Sequence, residues 1–102
     1  MKLDRETHEE GRGKYALVRL RGIGPEDEAR ANLKRLDELG LIDWGLKGEK
    51  DEFFVIKLRD DNAEAGLRAY ADRAALSDPE WGAAVGELAD RAAVSPFKKM
   101  PD

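Results

Sequence analysis

The sequence predicts an α+β fold: a three-stranded antiparallel sheet in a split β-α-β arrangement, followed by a C-terminal helical hairpin. Three observations predict it. Glu52–Arg59, EFFVIKLR, is a short, sharply bounded run rich in aromatic and β-branched residues, which strands favour. Two further stretches, Lys14–Arg21 and Leu41–Lys47, alternate apolar and polar residues with period two. Beyond Asp61 the period changes to that of a helix and holds to about Ala93.

Residues 1–13 are charged and carry no apolar period, so a mobile tail is expected there. The first strand, KYALVRLR, places Ala16, Val18 and Leu20 on one face and Tyr15, Leu17, Arg19 and Arg21 on the other. Pro25–Leu39 reads as a helix: Pro25 suits the first position, and Glu26, Asp27 and Glu28 complement the helix dipole. Ala29, Leu33, Leu36 and Gly40 form its apolar stripe, and Gly40 is the natural stop. Leu41–Lys47 and Glu52–Arg59, joined by Gly48-Glu49-Lys50-Asp51, are expected to form a hairpin.

Asn62–Leu76 is the second helix, with Asp61 or Asn62 as its cap and Glu64 at capping-box spacing from Asp61. Its stripe is Ala63, Leu67, Tyr70 and Ala74. The third helix starts at Ser77-Asp78-Pro79-Glu80, where an S-x-x-E box competes with a start one residue later. Its stripe is Trp81, Val85, Leu88 and Ala92, with matched spacing, so the two helices should form a hairpin. Residues 95–102 hold two prolines and read as a tail. A single α+β domain over residues 14–94 follows. The order of elements resembles a ferredoxin-like domain whose fourth strand is missing, with the third helix in its place.

Composition narrows the function. The chain has 102 residues, of which 39% are charged, a net charge of −4 and a pI near 5.1. An acidic excess disfavours non-specific nucleic-acid binding, which relies on clustered Lys and Arg. With no cysteine there is no disulfide, thiolate zinc site or thiol nucleophile. Met1–Glu6 runs into charge rather than an apolar region, and no apolar stretch approaches the roughly 20 residues that span a bilayer. A cytoplasmic location is expected.

Little in the sequence points to catalysis. The one histidine, His8, lies in the expected tail, whereas a general base needs a held position. Asp60, Asn62 and Glu64 have the opening spacing of an EF-hand loop, but Ala65 and Ala71 occupy the positions of its glycine and its last acid. The cluster reads as a helix cap, so no metal and no cofactor are expected.

The second face of the expected sheet brings together Tyr15, Arg19, Arg21, Phe53, Lys57 and Arg59, the candidate partner-binding residues. Tyr15, Leu17, Phe53 and Val55 are too apolar to be left in water, so a partner, a second copy or the third helix should cover them. The expected function is a small, acidic, non-catalytic interaction module that binds a protein partner, as a regulator or inhibitor, or self-associates through this face. Two alternatives use the same surface. A mixed aromatic and cationic sheet face resembles an RNA recognition motif, which would bind single-stranded RNA through Tyr15, Arg19, Phe53 and Lys57. Two such sheets resemble a dimeric α+β-barrel enzyme, with Trp44, Tyr15 and Arg19 lining its cavity. The stretch Ala29–Leu58 resembles the recognition helix and wing of a winged-helix DNA-binding domain.

Overall fold

A computed structural model describes residues 1–100 of the chain. Its regular structure is helical: α1 spans Glu28–Glu38, α2 Ala63–Ala74 and α3 Pro79–Ala93. Two 3-10 turns, Asp4–Glu6 and Leu20–Gly22, precede α1. Among the described residues there is no strand, and the only bridge is an isolated parallel one between Asp60 and Lys99. The expected α+β, ferredoxin-like sheet is therefore corrected to a three-helix fold.

The reason lies in the local hydrogen bonds. At the end of the first expected strand, Gly22 N–H donates to Arg19 C=O and Ile23 N–H to Leu20 C=O, which curls the chain. In the second, Gly45 has a φ of 64°, a left-handed conformation that interrupts an extended run. Where the hairpin turn was expected, Glu49 N–H donates to Leu46 C=O and Glu52 N–H to Glu49 C=O. Leu46 C=O and Glu52 N–H, at the ends of the two expected strands, are consumed within the turn instead. In the third, Asp60 N–H donates to Lys57 C=O. The apolar residues of these stretches gain no buried face: Phe54, Ile56, Val18 and Leu20 are all exposed, Phe54 by 86%.

The chain divides into two compact units, Leu17–Phe54 and the described residues on either side of it. Within Leu17–Phe54 the one helix is α1. It starts three residues later than its proline suggests, because Asp27 is the N-cap and its Oδ1 accepts from Ala29 N–H at 2.8 Å. Its end is as expected at Gly40, which has a φ of 72°. Leu41 N–H donates to Leu36 C=O and Gly40 N–H to Asp37 C=O, the paired bonds of a Schellman stop. Of its apolar stripe only Leu33 is even half-buried.

The other unit holds the core. The turn after α2 and the cap of α3 bring the two helices side by side, and they make the one helix–helix packing among the described residues. α3 begins at Asp78 rather than Ser77: Asp78 Oδ1 accepts from Trp81 N–H at 2.9 Å, and Pro79 takes the first position. For α2 the expected Asp61–Glu64 box does not form. Asp60 Oδ1 instead accepts from Asn62 N–H at 2.7 Å, and Ala63 N–H donates to Asp60 C=O. The buried side chains are Ala63 and Ala71 from α2, and Ala84, Val85, Ala89 and Ala92 from α3. Small residues suit this contact because they let the backbones approach closely. Gly82 shows how closely: a Cβ there would lie 2.8 Å from Ala75 Cα and 2.9 Å from Ala71 C=O. Of the expected stripes, Tyr70 stays exposed, while Trp81, Leu67 and Leu88 are half-buried.

Candidate interaction surface

In Leu17–Phe54 no residue is buried. Leu17, Val18, Leu41, Trp44, Phe53 and Phe54 are all exposed despite their size. What order the unit has is local. Trp44 Nε1–H donates to Asp37 Oδ1 at 2.9 Å, tying the segment after α1 back to the helix. The ring of Phe53 lies over Gly45, so close that a Cβ on Gly45 would meet it. Gly48 N–H donates to Glu52 Oε1 at 3.0 Å. An open depression of about 710 Å³ lies against α1, lined among others by Leu20, Ile23, Pro25, Arg30, Leu33 and Trp44.

The helical-hairpin unit is held by polar links as well as by its core. Arg68 on α2 donates to Glu64 Oε2 at 2.8 and 3.0 Å and reaches α3 at Asp90 Oδ1, 3.1 Å away. These carboxylates hold the Arg68 guanidinium above its ordinary pKa. Trp81 Nε1–H donates to the Tyr70 hydroxyl at 3.1 Å. The Asp78 carboxyl lies below its usual pKa, chiefly because it accepts from Trp81 N–H and secondly because the N-terminal ammonium is 3.0 Å away. Near the end of the described chain, Lys99 N–H donates to Arg59 C=O at 2.9 Å and Asp61 N–H to Lys99 C=O at 3.0 Å. Next to this clamp lies an open cleft of about 550 Å³, lined by Lys57–Arg59, Arg91 and residues 94–97. Residues 101 and 102 of the expected tail lie outside the described residues.

The six candidate residues do not share a sheet face, because there is none. Arg19, Arg21 and Phe53 belong to Leu17–Phe54; Tyr15, Lys57 and Arg59 belong to the hairpin unit. Lys57 and Arg59 line the cleft, where they meet Arg91 and Phe97, two residues that the sequence reading did not single out. The signal available for them was their position around the C-terminal end of α3, and it needed the Lys99 clamp to become a site. The cluster at Asp60–Glu64 is spent on local bonds, Asp60 to Asn62 N–H and Glu64 to Arg68. Among the described residues no group of three or more His, Cys, Asp or Glu is placed to hold a metal ion. His8 is exposed, and its Nδ1 accepts from Glu10 N–H at 3.1 Å. No described helix is long and apolar enough to cross a membrane. Comparisons with protein families, curated proteins and solved structures return no match.

Proposed function

We propose that the chain is a non-catalytic interaction module that binds a protein partner through Leu17–Phe54, while the α2–α3 hairpin supplies its folded core. One observation carries this reading: Leu17–Phe54 exposes several large apolar side chains and buries none. A segment below about 40 residues rarely holds itself together without a staple, and this chain has no cysteine to provide a disulfide. Apolar surface of this extent on a soluble chain marks a contact site. Ordering on contact with a partner would also suit its local, turn-based bonding. A cytoplasmic partner fits the acidic, cysteine-free composition. The RNA-binding and barrel-enzyme alternatives both rested on a sheet, and the described residues have none.

The test is photo-crosslinking in the native cell, with the reactive group at Phe54 and, as control, at Leu76 of the hairpin turn. The expected result is a protein adduct specific to position 54. Purified, that partner should slow amide exchange across Leu17–Phe54 in the reconstituted complex. Adducts only between copies of the chain would make the partner a second copy. Identical adducts from both positions, or no slowing of exchange, would sink the proposal.

A further inference from the structure

The cleft on the hairpin unit is lined by Lys57, Arg59 and Arg91 together with apolar Leu58, Val94 and Phe97, and no acidic side chain lines it. This grouping is against the trend of a chain with net charge −4. None of the three cations has an ion pair or side-chain hydrogen bond among the described residues, so all three are available to a ligand. Phe97 is 72% exposed although its backbone is fixed, its N–H donating to Ser95 Oγ at 3.2 Å. The Lys99–Arg59 and Asp61–Lys99 backbone bonds tie the chain after Phe97 to the residues beside Lys57–Arg59.

We infer that this cleft binds an acidic peptide segment carrying one apolar anchor side chain. The unpaired cations supply charge complementarity for carboxylates, and two of the three are arginines, which can bind them in bidentate fashion. The apolar part of the lining accounts for the anchor, since a site for a bare anion needs no apolar surface. The C-terminal end of α3 faces this region with partial negative charge, which Arg91 in its last turn offsets. The anion is therefore held by side chains and not by the helix end. A nucleic acid fits less well, because the net negative charge of the chain repels a long polyanion while three cations suffice for a short acidic stretch. All of the lining residues belong to the hairpin unit, and failure of this inference would leave the proposal for Leu17–Phe54 intact.

The probe is the N-acetylated, C-amidated peptide Glu-Asp-Glu-Phe-Glu-Glu, titrated into the isotope-labelled full chain and followed by amide chemical shifts. Saturable shifts are expected at residues 57–59 and 91–97. The Arg59→Gln, Arg91→Gln double variant should weaken binding by about tenfold or more, with the helical circular dichroism unchanged. If that variant unfolds, two peptide changes on the native chain decide instead: Phe to Ser, or all acids to amides, should each weaken binding. Shifts that do not saturate, or that spread evenly over the surface cations, would overturn the inference. So would equal binding of inorganic phosphate, or tighter binding of a single-stranded oligonucleotide or of phosphatidylserine vesicles.

Discussion

At the scale of single residues, one position on α3 and its N-cap carry consequences that can be measured. Gly82 meets backbone rather than a flexible side-chain tip, so an added Cβ forces the helices apart. Gly82→Val should destabilise the chain by about 1–3 kcal/mol as overpacking. Gly82→Ala should cost less, since better helix propensity returns about 0.5–1 kcal/mol. Urea melts of both variants check the order. Asp78 carries a pH effect. Its pKa is lowered in the folded chain, so its contribution is present above the unfolded carboxylate value, near 3.9, and is lost as pH falls through the folded value. Asparagine caps about as well but does not titrate. Asp78→Asn should therefore melt close to the native chain at neutral pH and lose less stability between about pH 4 and pH 2. Parallel melting curves across that range would contradict it.

At the scale of elements, the expected strands and the hairpin should respond oppositely to truncation. Phe54 sits in the most apolar run of the sequence yet is 86% exposed, so Phe54→Ala should cost less than about 1 kcal/mol. Val85, 3% exposed between α2 and α3, is a smaller side chain with a larger role. Val85→Ala should cost about 1.5–3 kcal/mol, the range for burying such a side chain. If the two costs come out reversed in urea melts, the core lies where the alternating stretches are and not between the helices. The contrast follows from pairing. A strand gains its stability from neighbours, so a run of β-favouring residues without a ladder has none to gain.

For the whole molecule, stability should be uneven. Among the described residues the buried side chains all belong to α2 and α3, and Leu17–Phe54 has none. Amide hydrogen exchange in the free chain should show the strongest protection in α2 and α3, with rapid exchange throughout Leu17–Phe54 apart from the α1 turns. Uniform protection would mean that the two units open together. Arg68, linking Glu64 to Asp90 across the hairpin, ties α2 to α3 at its surface.

The sequence by itself determined the helices and several of their ends. Gly40 stops α1 because only a residue tolerant of positive φ completes the paired carbonyl bonds there, and Asp78-Pro79 starts α3 by donor satisfaction within one turn. These are local effects, fixed within four or five residues, so local sequence carries them. The matched stripes of α2 and α3 likewise announced their contact, although Ala71, Ala84 and Ala89 were missed because alanine gives a weak apolar signal. Whether Lys14–Arg21, Leu41–Lys47 and Glu52–Arg59 would pair was a tertiary matter. Alternation says which side chains would share a face, but not whether a neighbouring strand will supply the ladder. Turns at Leu20–Gly22, Gly45–Glu52 and Lys57–Asp60 took the hydrogen bonds first. The cleft was out of reach for the same reason. Lys57, Arg59, Arg91 and Phe97 are brought together by α3 and by a two-bond clamp at Lys99, across separations in sequence that no periodicity spans.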